Sequence, residues 1–325
     1  MHMNTLTPHM QTPYDLCAIV GPTASGKSAL AEALAEALSS AVVSIDAMQV
    51  YRGMDIGTAK EPPSLRKAPL YMVDVASVNE PYSAALFQTE ARRCIDKLRA
   101  KGTFPILCGG TGLYLNCVID DMQFPQGALM SAARTTYTTY LEQHGQDALY
   151  ALLQTRDPAS AALIHPHNTR RIIRALELLD DNKSYAAVHS GLHARKSVYT
   201  SCIVGLSWPR DVLYERINER VLTMMQQGFV REVEQLIDVG LRESHTASQA
   251  IGYKEVLQYF AGELSYDVMV AAIQQRTRRY AKRQLSWFMH DKRVIWIDCE
   301  HKTLDDLTGE TLAYIQSTGA GATNA

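Results

Sequence analysis

Two stretches carry the residues best suited to chemistry: GPTASGKS, Gly21–Ser28, and SIDAMQVYRGMDIGTAK, Ser44–Lys60. The first fits G-x-x-x-x-G-K-[ST] in full. Its glycines, Gly21 and Gly26, let backbone wrap an anion, with Pro22, Thr23, Ala24 and Ser25 supplying the loop between them. Lys27 brings a positive charge to phosphate oxygens, and the Ser28 hydroxyl suits magnesium. In the second stretch, Asp46 ends the apolar run AVVSI. A carboxylate at a strand end beside a phosphate loop can hold magnesium, as in a kinase or ATPase. It can also be the base that deprotonates a nucleophile. Asp74, after YMV, is a second candidate for the metal role, whereas the run FPIL-Cys108 leads into GGTGLY, Gly109–Tyr114. That small-residue turn sits where open α/β sheets bind ligands and offers the Thr111 hydroxyl.

Basic residues recur in two helical patterns. HPHNTRRIIRALELL sets Arg170, Arg171 and Arg174 on one turn. QQRTRRYAKRQLSWF spaces Arg276, Arg279 and Arg283 along a helix, with Arg278 and Lys282 beside them and Tyr280, Trp287 and Phe288 interleaved. Arginines among aromatics suit a phosphate backbone with unstacked bases, and a solvated helix face is the plainer alternative. His165, His167, His189 and His193 lack a carboxylate or cysteine at ligand spacing and do not read as a metal site.

The elements that must position these residues alternate between strand and helix. LCAIV, AVVSI, YMVDV and FPILC read as buried strands, and SALAEALAEAL and YSAALFQTEARRCIDKLRAKG as helices, the second closed by Gly102. Such alternation implies a parallel sheet flanked by helices. From Gln123 to Ser197 only helical patterns appear, and SCIVGL then restores a strand. Long helical patterns follow over 211–239, 248–260 and 266–290, with RVIWID as a last strand. The expected organisation is a discontinuous core, 14–122 and 198–300, a helical insertion, 123–197, and flexible termini, 1–13 and 315–325. The 325 residues carry a net charge of −2, so the overall balance does not signal nucleic acid and only local clustering can. Six cysteines without a C-x-x-C pair suit reduced, buried thiols and a cytoplasmic setting. No apolar run is long enough to suggest a membrane span.

GPTASGKS, SIDAMQVYRGMDIGTAK, GGTGLYL, HPHNTRRIIRALE, ERINERVLTMMQQGFVREV, QAIGYKEV and TRRYAKRQLSWF, in that order, resemble the tRNA dimethylallyltransferases from about Leu16 to Ile297. The D-x-M-Q-V-Y-x-G-M-D-I-G-T-A-K block is the most specific part. The resemblance implies an α/β, P-loop kinase-like core with an inserted helical subdomain. It implies transfer of a dimethylallyl group from dimethylallyl diphosphate to N6 of the adenosine just 3′ of a tRNA anticodon, with magnesium required. By resemblance, Asp46 is the base, and Thr23 and Arg220 assist at the diphosphate. Asp46, Ala47, Met48 and Gln49 meet the flipped adenine. Thr111, Arg134, the run Arg170, Arg171, Ile172, Ile173 and Arg174, and the run Gln249, Ala250, Ile251, Gly252, Tyr253 and Lys254 align with tRNA-contact positions. The sequence departs from the family at Ala47, where serine is usual, and at Leu70–Tyr71, where two histidines are usual. It lacks the zinc-finger extension of eukaryotic relatives, so a bacterial-type, cytoplasmic, monomeric enzyme is expected. A small-molecule or nucleotide kinase, with Asp46 on magnesium, and a non-catalytic RNA binder are the competing readings.

Overall fold

A computed structural model describes residues 12–124, 131–188 and 196–317. Six strands form one parallel sheet in the order β3-β2-β4-β1-β5-β6. They are β1 (Leu16–Val20), β2 (Ala41–Ser44), β3 (Leu70–Tyr71), β4 (Pro105–Cys108), β5 (Ser201–Ser207) and β6 (Val294–Asp298). The central strands are buried along their whole length, so they read as continuous apolar runs, as a sheet covered on both faces requires.

The helices of this unit are α1 (Lys27–Ala37), α2 (Ala84–Ala100) and α3 (Gly112–Ile119), and further on α7 (Arg210–Gln226), α8 (Phe229–Ile237), α9 (Tyr253–Phe260), α10 (Tyr266–Met289) and α11 (Leu304–Gln316). In α1 the alanine- and leucine-rich sequence buries Leu30, Ala31, Leu34 and Ala35 against the sheet. Ser83 caps α2 by accepting from the Leu86 N–H, and Gly102 turns the chain away at φ +75°.

Asp120–Ser197 forms a second compact unit, built from α4 (Ala132–Arg156), α5 (Pro158–Leu163) and α6 (Thr169–Asp180). Its core gathers Leu149, Leu153, Ile164, Ile172, Ala175 and Leu176. Gly145, at φ +80°, kinks α4. His189 and His193, and residues 1–11 and 318–325 of the expected termini, lie outside the described residues.

Three expectations are corrected. YMVDV does not continue as a strand: after Tyr71 the chain takes φ +60° at Met72 and +56° at Asp74, and the Val75 and Ala76 N–H groups bond to Val50 O. The pattern over 211–239 is two helices, because Gly228 at φ +93° ends the right-handed run and starts α8. The terminal segment is held from both ends: Ile315 is fully buried, Leu307 joins the cluster around α1 and β5, and Thr12 Oγ1 donates to Ile315 O at 2.6 Å. The core therefore extends past 300 through α11, and residues 12–13 and 315–317 are part of it.

Ile315→Ala is expected to cost about 2–5 kcal/mol, the range for a large aliphatic side chain deleted from a packed core. Urea unfolding tests this, and a loss below about 0.5 kcal/mol would return the segment to a loose tail.

Candidate active site

Neighbouring strands β2, β4 and β1 end side by side, and each releases one loop of the site. Beyond the strands, Ile45 N–H donates to Cys108 O at 2.8 Å and Gly109 N–H donates to Ile19 O at 3.2 Å. These bonds bring Asp46, the Gly109–Gly112 turn and the phosphate loop to the same edge of the sheet.

The phosphate loop is held through its carbonyls. Lys27 Nζ donates to Pro22 O, Arg216 Nε to Ala24 O at 2.9 Å and Trp208 Nε1 to Ser25 O at 3.0 Å. Arg216 also lies over the Trp208 ring, 4.4 Å from its centre. Ala24 and Gly26 take left-handed backbone, φ +62° and +94°, which turns the peptide N–H groups into a concave nest. Ser25 is buried and its Oγ has no hydrogen-bond partner. A buried hydroxyl without a partner is costly, and an incoming phosphate oxygen would satisfy it.

Lys27 is pushed down to about 8, chiefly by burial, with Arg220 acting in the same direction and Cys108 and Asp46 opposing. Burial likewise lowers Arg220, against the attraction of Asp46. Arg220 Nη1 donates to Thr23 Oγ1 at 3.2 Å. Two cations are thus held with little solvation, a state that an arriving diphosphate relieves.

Asp46 is fixed through one oxygen. Its Oδ1 accepts from Met48 N–H at 2.8 Å and Gln49 N–H at 3.4 Å, and among the described residues Oδ2 accepts no hydrogen bond. The turn orients the carboxylate while leaving one oxygen for chemistry. Ala47 N–H donates to Thr111 Oγ1 at 3.1 Å. Both ends of the Gln49 amide are used, its oxygen accepting from Ser44 Oγ and its nitrogen donating to Thr58 O, with a second N–H left over. Tyr280 contacts Thr111 and Gln284, and burial with the nearby Asp46 charge pushes its phenol up to about 12.

Asp74, the rival strand-end carboxylate, is taken. Lys60, buried, donates to Asp74 Oδ1 and Asp55 Oδ1, both at 2.6 Å, and to Tyr51 O at 3.0 Å. The M-D-I-G run is also anchored from outside. Glu232 accepts from the N–H groups of Asp55, Ile56 and Gly57 and from the Tyr253 hydroxyl.

The aligned RNA-contact positions divide by burial. Arg170 and Arg171 are exposed, but Ile172 and Ile173 are core residues, so their side chains do not face a ligand. Arg134 and Arg174 meet the buried Glu177 at 2.8 and 3.5 Å. Gln249 is exposed and Ile251 and Lys254 half-buried, while Ala250, Gly252 and Tyr253 are buried. In the second basic pattern Arg276 pairs with Glu255 at 2.6 Å and Arg278 donates to Asn218. That leaves Arg279, Lys282, Arg283 and the 43 % exposed Trp287 on the open face of α10. Sequence reasoning missed Glu232 and Gln284: each is one polar residue in a helical pattern, with nothing local to mark what it reaches.

Among the described residues no group of three acidic, histidine or cysteine side chains could enclose a metal. Ser28 stands in the first turn of α1, exposed, beside the loop's amides. One hydroxyl with substrate phosphates and water is a donor set that fits magnesium, which keeps several waters and takes few protein ligands.

A parallel sheet flanked by helices, with this loop after β1, is a P-loop fold. Residues 49–291 match the model of the IPP transferase family, and the chain belongs to that family. It is 44% identical over 282 residues to a tRNA dimethylallyltransferase of Geobacillus kaustophilus, covering 86% of this chain and 89% of the relative. It is 41% identical over 281 residues to the tRNA dimethylallyltransferase of Bacillus subtilis, covering 86% and 89%. Among solved structures, the tRNA isopentenylpyrophosphate transferase of Bacillus halodurans aligns with TM-score 0.65 and 38% identity over 91% of this chain and 94% of that one. A eukaryotic dimethylallyltransferase acting on tRNA aligns with TM-score 0.71 and 27% identity over 87% and 73%.

Inorganic diphosphate should bind fully below about pH 8, where Lys27 is charged, and less tightly as pH rises through about 8. Binding favours the charged lysine, so proton uptake should accompany it. Calorimetry in buffers of different ionisation enthalpy reads that uptake. Lys27→Arg, which does not titrate, should remove this part of the pH dependence, and an unchanged profile would show that Lys27 does not face the anion.

Proposed function

We propose that this chain transfers a dimethylallyl group from dimethylallyl diphosphate to N6 of the adenosine 3′-adjacent to the anticodon of tRNA, releasing diphosphate. The observation that carries the reading is the Asp46 carboxylate: one oxygen tied down, one open, at the strand end beside the phosphate loop. The adenine N6 lone pair is delocalised into its ring, so the amine is a weak nucleophile. As N6 attacks the allylic carbon, the carbon–oxygen bond to diphosphate breaks and positive charge develops on nitrogen. Asp46 takes the N6 proton. Lys27, Arg220 and the amides of the phosphate loop stabilise the charge gained by the leaving diphosphate. Thr23 orients Arg220 through its hydroxyl. Ser28 would hold magnesium, which would supply further neutralisation of that charge.

The adenine must leave the anticodon loop to reach Asp46. Asp46, Ala47, Met48, Gln49 and Thr111 form the acceptor side. Gln249, Ile251 and Lys254, together with Arg170 and Arg171, serve the RNA backbone, while Arg134 and Arg174 are anchored on Glu177. Ala47 brings its N–H but no hydroxyl, so Thr111 is bonded from the backbone there. Tyr71 stands exposed on the edge strand where a histidine is usual.

Purified protein, magnesium, labelled dimethylallyl diphosphate and an unmodified tRNA with adenosine 3′ of its anticodon should place label on that adenosine. No label, alongside phosphoryl transfer from ATP, would hand the chain to the kinase reading. Asp46→Ala should keep RNA binding and lose at least about 10²-fold in turnover; near-normal turnover would remove Asp46 as the base. Charge reversal at Arg279 and Arg283 should weaken tRNA binding and flatten its salt dependence. An unchanged slope would make the open face of α10 a bystander.

A further inference from the structure

We infer that Gln284 is a positioning residue that sets the spacing between the diphosphate loop and the acceptor side of the site. This rests on the transferase reading above. Gln284 lies on α10 and is 5 % exposed. Its Oε1 accepts from Thr23 N–H at 2.8 Å, and its Nε2 donates to Gly110 O at 2.9 Å. One amide therefore joins the two glycine-rich loops, and each of its ends is used. The Thr23 N–H is committed to this bond, so this part of the loop is scaffold and not a phosphate ligand.

The link continues toward the base. Tyr280, four residues earlier on α10, lies close enough to Gln284 and Thr111 for both to act on its phenol. Thr111 Oγ1 accepts from Ala47 N–H, beside Asp46. On the other side, Thr23 Oγ1 accepts from Arg220. Gln284 thus stands between a loop that holds Arg220 through Thr23 and a turn whose Thr111 meets the backbone beside Asp46. Displacement at an allylic carbon requires the nitrogen, the carbon and the leaving oxygen in register, and a misplacement near 1 Å costs on the order of 10²-fold. The amide is a short, directional spacer that holds that register without touching either substrate.

Two variants test this. Gln284→Met keeps the volume and removes both polar atoms. Its kcat should fall by about 10²-fold, while the dissociation constants for dimethylallyl diphosphate and for an anticodon stem-loop RNA, measured separately, stay within about threefold. Gln284→Glu reproduces the acceptor and the donor only while its carboxyl is protonated. Its kcat relative to wild type should therefore rise as pH falls, with the ratio for the methionine variant flat. A packing role predicts a methionine variant within about threefold of wild-type kcat, and that result overturns the proposal. If the methionine variant does not fold, a flat pH ratio for the glutamate variant overturns it alone. Absence of transfer by the wild-type protein in the same assay removes the transferase reading and the proposal with it, whereas wild-type transfer with an insensitive position 284 removes only the proposal.

Discussion

The site depends on how closely its neighbours approach Gly109 and Gly110. A Cβ on Gly109 would lie 2.7 Å from the Ile45 carbonyl group, and one on Gly110 would lie 2.0 Å from Gln284 Nε2. Both are far inside van der Waals contact, so a side chain at Gly109 would push away the end of β2 and one at Gly110 would displace the Gln284 amide. Because those two positions are bare, the strand end that carries Asp46 and the turn that carries Thr111 share one edge of the sheet. The phosphate loop lies on the other side of the same turn, one strand away. The parallel order β2-β4-β1 makes this possible, since parallel neighbours end together.

Buried charge organises the long loop after Asp46. Lys60 closes it on itself through Asp55, Asp74 and the Tyr51 carbonyl, and Glu232 clamps it from α8 through three backbone N–H groups. Each buried ion has several charge-assisted partners, which offset the desolvation that a lone buried charge would incur. Several residues in this block that look chemical in the sequence are therefore architectural. The loop has no regular secondary structure to hold it, and these polar clamps take the place of a ladder.

The same division runs through the arginines. Arg276 is tied to the fully buried Glu255, and Arg134 and Arg174 converge on the buried Glu177. Arg170, Arg171, Arg279 and Arg283 remain exposed. A nearly neutral chain can meet a polyanion only if its basic residues are sorted in this way, some satisfied internally and others left facing solvent. Among the described residues no helix is long and apolar enough to cross a membrane.

Much of this was legible in the order of residues. Strong local signals identified five of the six strands, the glycine-rich loop and the carboxylate at the end of β2: a buried parallel strand needs an unbroken apolar run, and an anion loop needs small residues followed by Lys27 and Ser28. Asp46 announced itself as a carboxylate at a strand end, but its two uses were indistinguishable by composition. The tertiary structure gives the two carboxylates different partners: Asp74 pairs with buried Lys60, whereas Asp46 is held by backbone N–H groups of its own turn. The break at Met72, the helix α11 and the roles of Glu232 and Gln284 were likewise set by contacts between residues far apart in the chain. A strand, a helix and a phosphate loop are written in short-range periodicity. The partner of a single buried polar side chain is decided by which elements the fold brings against it, and the sequence carries no local mark of that.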